Sequence, residues 1–330
     1  MTTFRTEWSG VRFPGTEFTH ADRILTSGSC FAQRFGTWLA ENKFEVLNNP
    51  FGISYQPLAI HDQLCAALTG AGVLPSHFVE REHRYVHLDF HSSLQGGTKE
   101  ELQTLIGWQQ HQVQECLNSA HWLILTYGTA WVYDYLPTGK TINNCHKIPA
   151  RQFTRRLLNV PDITESFNLL YGELKEKNPA LRLLLTISPV RHIKDTLEGN
   201  SVSKAVLRVA AHEIRKQHPD VVYFPAFEIL LDDLRDYRFY EDDLLHPNSL
   251  AEQYIWEKFS NSFFPEATRT RLAQWQSIKK SLAHIPFQPE GPSYRHFLES
   301  LLERLQHLAP VLSVENELNE VRARWEAIKI

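Results

Sequence analysis

Ile24-Leu-Thr-Ser-Gly-Ser-Cys-Phe-Ala32 is the stretch on which this chain turns. Apolar residues run into Thr26 and Ser27, Gly28 follows, and a helical pattern opens at Phe31. This is the outline of a strand that ends in a tight turn and feeds a helix. Such a turn lifts one side chain, here Ser29, to the carboxyl edge of a sheet. The free N–H groups of the helix's first turn point to the same place. A serine so placed becomes a nucleophile when a histidine reaches it. The neighbouring thiol, Cys30, is read as part of the helix's packed face.

Working outward, near-continuous apolar runs at 24–27, 44–47, 122–127, 181–187 and 221–224 read as strands. Helical patterns at 31–42, 57–68, 99–119, 164–177, 203–217 and 249–263 alternate with them. Buried strands alternating with helices imply a parallel sheet covered on both faces, and right-handed crossovers make it an α/β doubly wound, flavodoxin-like fold. Ligands of such sheets gather at the carboxyl ends of the strands. Residues 78–90 alternate and predict a hairpin outside the main sheet, and 131–135 another extended piece. Residues 1–22, with Pro14 and Gly15, read as an irregular lead-in.

After Pro265 the character changes, which sets the expected boundary between an α/β domain at 1–265 and a helical extension at 266–330. Val314, Leu318, Val321, Trp325 and Ile328 keep the spacing of a coiled-coil seam. The seam either packs on its own domain or forms a homodimer contact.

Composition narrows the functional classes. The chain has 330 residues, 42% hydrophobic and 22% charged, with a formal net charge of −4. No basic excess is available for general nucleic-acid binding. No apolar run approaches the ~20 residues of a membrane span, and the N-terminus lacks an apolar signal segment. The four cysteines, Cys30, Cys65, Cys116 and Cys145, show neither C-x-x-C spacing nor a disulfide framework. The expected setting is a reducing cytoplasm. Without a phosphate-binding glycine motif, no nucleotide cofactor is expected.

Polar residues recur after each predicted strand. Ser29 follows the first, Asn49-Pro-Phe-Gly52 the second, Gly128-Thr129-Ala130 the third and Ser188-Pro-Val-Arg191-His192 the fourth. Beyond the fifth lies Asp243-Leu-Leu-His246-Pro247. A carboxylate three residues before a histidine can bond the near ring nitrogen, leaving the far one free to take a proton from a serine. Asn144, His146, Lys147, Arg191 and His192 form a second polar set, either a cationic wall for a carboxylate, phosphate or sugar, or a network tying loops together. Arg235 and Arg238, interleaved with Asp232, Asp233, Asp236 and Glu241, read as a salt-bridge belt. Cys145, His146, His192 and His246 lack the spacing of a metal site, so no metal is expected.

Gly28-Ser-Cys-Phe-Ala32 is the string that names the GSCFA family, and the chain resembles that family in further blocks. These are Asn49-Pro-Phe-Gly52, Tyr127-Gly-Thr-Ala-Trp-Val-Tyr133, Asn144-Cys-His-Lys147, Ser188-Pro-Val-Arg-His192 and Leu234-Arg-Asp-Tyr-Arg-Phe-Tyr240. The resemblance spans about residues 20–265. The family is similar in turn to the SGNH (GDSL-type) hydrolases, esterases and acyl hydrolases on a flavodoxin-like sheet. It implies Ser29 as nucleophile, His246 as general base and Asp243 as its orienter. Gly52 and Ser29 N–H groups are implied as oxyanion donors. The Gly-x-Asn of the third SGNH block is absent, because Ala130 stands where the asparagine would donate. Thr129, Asn49, Asn144 or His146 could substitute.

The expectation is therefore a serine esterase or acyl hydrolase acting on an O-acyl ester of a carbohydrate or small molecule. An O-acyltransferase on the same residues and a non-catalytic binding or scaffold protein are the alternatives.

Overall fold

The structure is a computed structural model that describes residues 5–11 and 15–328; Pro14 of the expected lead-in lies outside them. In chain order the elements are β1 (Arg23–Gly28), α1 (Cys30–Glu41), β2 (Glu45–Asn48), α2 (Pro57–Thr69), β3 (Phe78–Arg81), β4 (Arg84–His87) and β5 (Gln95–Gly96). Then come α3 (Lys99–Ser119), β6 (Trp122–Tyr127), β7 (Trp131–Tyr135), β8 (Lys140–Ile142), β9 (Phe153–Leu157), α4 (Val160–Lys177), β10 (Arg182–Ile187), α5 (Thr196–Gln217) and β11 (Val221–Phe224). The short α6 (Ala226–Glu228) precedes α7 (Ser249–Phe263), α8 (Glu266–Leu282), α9 (Pro292–Leu308) and α10 (Glu315–Glu326).

The main sheet has the order β2-β1-β6-β10-β11. Counting only its own strands, this is 2-1-3-4-5, the flavodoxin-like order. The register is parallel: Ile24 stands opposite Trp122, Trp122 opposite Arg182, and Leu183 opposite Val221. Every residue of β6 is buried, as a strand covered on both faces requires. Helices α2, α3, α4 and α5 close one core around Leu123, Leu125, Phe167, Leu183 and Leu207.

Two small antiparallel sheets stand outside the main one. The expected hairpin at 78–90 is β3–β4, extended by β5. The strand at 131–135 is β7, paired with β8 and with β9, which the sequence pattern did not signal.

Two helices begin earlier than their apolar periodicity. Helix α4 starts at Val160 because Asn159 and Asp162 form a reciprocal capping box, with proline in the first turn. Helix α5 starts at Thr196, and its buried face is Ser203, Lys204, Leu207, Ala210, Ala211 and Ile214. Val209 is exposed on the opposite face.

The chain divides into two units. One comprises Met1–Gly10, Arg23–Trp38 and Val46–Phe259; the other comprises Val11–Asp22, Leu39–Glu45 and Ser260–Ile330. The second unit thus draws on two early segments as well as on the C-terminal helices. In it Val314, Leu318, Val321 and Ile328 share a core with Trp275, Leu298, Leu301 and Leu305. Among the described residues no helix is long and apolar enough to cross a membrane.

Candidate active site

Gly28 ends β1 at φ 144°, and a Cβ there would collide with the Thr126 carbonyl oxygen. Only glycine fits that close approach. The chain turns, the Ser29 N–H donates to the Thr126 carbonyl at 3.1 Å, and the Ser29 carbonyl accepts the first helical bond from Gln33. Asn49 clamps the turn from β2's loop. Its amide nitrogen donates to the Gly28 carbonyl at 3.1 Å, and its side-chain oxygen accepts the Gly28 N–H at 2.8 Å.

The turn places Cys30 at the first position of α1 and leaves Ser29 before it. Ser29 is fully buried, and its hydroxyl meets no hydrogen-bond partner. The Cys30 thiol instead lies 3.8 Å from His246 Nε2. The expected serine–histidine meeting does not occur, because the turn residue is Gly28 and the side chain raised at the sheet edge belongs to the first helical residue. Cys30, expected in the packed face, is only partly buried.

His246 Nδ1 lies 2.6 Å from Asp243 Oδ2, so the expected Asp–His pairing is present. The other carboxylate oxygen accepts the N–H groups of Leu245 at 2.8 Å and His246 at 3.0 Å. These donors, first the His246 backbone and then its ring, hold the Asp243 carboxyl down at about 2. The loop is held by its neighbours: the Glu241 N–H donates to the His246 carbonyl at 2.8 Å, and Asn248 donates to the Arg238 carbonyl at 2.7 Å. Arg191 stacks over Tyr240 at 4.3 Å and bonds the loop's backbone, with its N–H toward Leu245. It supports the histidine's loop.

Two basic groups act on the thiol–imidazole pair, Lys204 on Cys30 and His192 on His246. Lys204 is buried on α5 and donates to the Gly128 carbonyl at 2.7 Å and the Ser188 carbonyl at 2.6 Å. Its ammonium joins the carboxyl ends of β6 and β10. Burial pulls it down to about 7, against the opposing pull of Cys30. His192 packs its ring edge-on against Tyr55, with centroids 5.2 Å apart, and its Nε2 is buried without a partner. Burial, then Lys204 and His246, push His192 down to about 4. For Cys30 burial raises the thiol, outweighing the Phe31 N–H, Lys204 and its own N–H, all of which favour the thiolate.

The expected oxyanion donors are occupied elsewhere. The Gly52 N–H donates to the Asn49 carbonyl at 2.8 Å within its own turn. The Thr129 N–H donates to the Tyr55 carbonyl at 3.0 Å, and its hydroxyl bonds Ser203. Asn49 is spent on Gly28 and is a positioning residue. Asn144 accepts the His146 N–H, His146 Nε2 pairs with the His87 carbonyl, and the Lys147 carbonyl accepts from Arg81. Those three tie loops together, whereas His192 belongs to the cluster around the thiol. Of the expected salt-bridge belt, Arg238 pairs with Asp236 at 3.6 Å, whereas Asp233 pairs outside it with Arg5 at 3.2 Å.

A family described as the GSCFA family matches residues 23–259, and one described as GSCFA domain protein, C-terminal domain, matches 275–327. The chain belongs to the GSCFA family. Among curated proteins nothing matches it. One solved structure, "The structure of a putative platelet activating factor from Streptococcus pneumonia", is similar to it with 13% identity and a TM-score of 0.39, over 73% of this chain and 83% of that one.

In this GSCFA chain the sequence carries a signal for both Cys30 and Lys204. Cys30 lies in helical register with Gln33, Arg34, Thr37 and Glu41, the polar side of α1, opposite Phe31, Phe35 and Leu39. Lys204 lies in the apolar stripe of α5 with Leu207 and Ala211. A thiol on a polar stripe and a lysine on an apolar one both break the pattern, and both stand at the strands' carboxyl ends.

Proposed function

We propose that this GSCFA protein is an acyl-transfer enzyme, foremost an ester hydrolase, that uses a thiol. The observation that carries the reading is the Cys30–His246–Asp243 sequence of contacts, 3.8 and then 2.6 Å. His246 Nε2 takes the thiol proton as sulfur bonds to the ester carbonyl carbon. The same nitrogen then protonates the leaving alkoxide oxygen as the C–O bond breaks, leaving a thioester on Cys30. Water, deprotonated by His246, attacks the thioester; the C–S bond breaks, His246 returns the proton to sulfur, and the acid departs. Asp243 keeps Nδ1–H in place and balances the imidazolium.

The oxyanion is stabilised by the N–H groups of Cys30 and Phe31 at the start of α1 and by the Lys204 charge, in place of the side chain absent at Ala130. Because the neutral thiol is favoured by burial, His246 removes the proton during attack and not beforehand. A thioester also passes its acyl group to a hydroxyl, so transfer to an alcohol acceptor is the second reading favoured by a thiol here.

The test is acylation with a p-nitrophenyl ester followed by peptide mass spectrometry. The expected adduct sits on Cys30, is released by neutral hydroxylamine, and is absent in Cys30→Ala and slow in His246→Ala. Undiminished turnover in Cys30→Ala, or an adduct on Ser29, overturns the proposal. Adding an alcohol acceptor and measuring transfer against hydrolysis separates the two outcomes.

A further inference from the structure

His77, His87 and Asp89, none of them part of the Cys30–His246–Asp243 set, converge beside β3 and β4. Their ligand-capable atoms all lie within 4.8 Å of one another. His77 ends the short turn before β3, His87 ends β4, and Asp89 follows two residues later. Both histidines are fully buried. His77 Nδ1 lies 2.8 Å from one Asp89 oxygen and His87 Nδ1 lies 3.7 Å from the other.

The outer ring nitrogens are already fixed. His87 Nε2 lies 3.0 Å from the Leu74 carbonyl, which can only accept, so Nε2 carries the proton. The neutral ring then turns the lone pair of Nδ1 toward Asp89, itself an acceptor. The Asp89 N–H reaches that nitrogen at 3.3 Å, and a carboxylate oxygen of the same residue stands 3.7 Å from it. His77 Nε2 lies 3.0 Å from the Thr138 hydroxyl, which can accept its proton and free Nδ1 in the same way. A ligating imidazole commonly makes such an outer bond to a carbonyl or hydroxyl.

We infer that His77 Nδ1, His87 Nδ1 and an Asp89 oxygen bind one divalent transition-metal ion. Two imidazoles and a carboxylate suit zinc or ferrous iron. Three protein ligands leave a coordination position open. A cavity of about 340 Å³ adjoins the site and is lined by His77, Asp89, Asp62, Gln63, Lys140 and Asn143. It has room for water or a small oxygen ligand. The spacing of the ligands, H-x9-H-x-D, matches no familiar metal motif. The ion would also brace the strip that carries Leu88, whose carbonyl accepts the Asn143 and Asn144 N–H groups, and His91, which packs against Gly52.

The test uses the full chain without a histidine tag, stripped with a chelator and titrated with zinc(II), ferrous iron and cobalt(II) separately. One equivalent of at least one ion is expected to bind and to remain after gel filtration. Bound cobalt should give d–d absorption without a thiolate charge-transfer band. Asp89→Asn, which keeps the shape and removes the charge, and His87→Ala should each lose stoichiometric binding, with far-ultraviolet circular dichroism reporting their folding. Cys30→Ala and His246→Ala should bind as the parent does. Absence of stoichiometric binding for every ion, unchanged affinity in a folded Asp89→Asn variant, or loss of the ion in Cys30→Ala overturns the inference.

Discussion

Ser29 and Cys30 are adjacent, yet their environments assign them opposite behaviour. The Ser29 hydroxyl is buried and without a partner, so Ser29→Ala removes an unsatisfied polar group. Stability should stay level or rise by up to ~1 kcal/mol, with esterase turnover retained. Cys30→Ala should fold as the parent does and lose turnover, because the thiol is the group that His246 Nε2 meets at 3.8 Å. Urea denaturation and ester kinetics on the two variants read both effects; loss of turnover in Ser29→Ala alone would reverse the assignment. A second prediction concerns pH. Burial raises the Cys30 thiol above the usual thiol range, so its thiolate forms on the alkaline side. The rate of alkylation by iodoacetamide should therefore climb through the alkaline range, with no plateau at acidic pH of the kind a low-pKa thiolate gives. Asp243, held at about 2, stays ionised throughout that range.

At the level of elements, the sheet was legible because buried parallel strands read as unbroken apolar runs; β6 at 122–127 and β11 at 221–224 fall where periodicity puts them. β9 was not legible, since Phe153–Leu157 carries Arg155 and Arg156 and pairs on the outside of β7. The Asp243–His246 pair was legible because it is local, three residues apart within one loop. The partner of His246 was not, because it depends on which residue after β1 opens the helix, and that is fixed by the Gly28 turn in three dimensions. Asn49 shows the same limit: a polar residue at a strand's end reads as a ligand group until its amide is found closing both backbone bonds of Gly28. Asn49→Ala should thus cost stability before chemistry, ~1–3 kcal/mol for each buried group left unpaired. Urea unfolding should show the loss, and ester kinetics at a temperature where the variant is folded should show a smaller one. Lys204→Met tests α5 separately. It removes the charge beside Cys30 while keeping a long side chain in the apolar stripe, and should lower kcat by ~10²-fold, on the scale of a lost oxyanion donor. Unchanged kcat in folded Lys204→Met would remove the lysine from the proposed mechanism.

Over the whole molecule, the buried histidines set how the fold responds to acid. His61 is buried in the main core, with Nε2 2.6 Å from the Tyr127 hydroxyl and Nδ1 2.9 Å from that of Ser166. Burial pushes it from 6.5 down to about 3, and His192 to about 4. In the unfolded chain both titrate at the ordinary 6.5, so between 6.5 and their folded values the unfolded state holds the extra protons. Their contribution to stability is complete above 6.5 and declines as pH falls below it, by up to ~1.4 kcal/mol per pH unit for each ring. Asp62 acts in the opposite sense: burial raises it from 3.8 to about 6, so the folded state gains protons there as pH falls. Its side chain lines a cavity but still reaches solvent, so screening weakens its share against the two buried rings. Stability from urea denaturation should therefore decrease from pH 7 to pH 5. His61→Gln should be less stable at pH 7 but flatten that slope, since the amide keeps a polar side chain between Tyr127 and Ser166 without a proton to gain. A slope unchanged in His61→Gln would place the acid response elsewhere in the molecule.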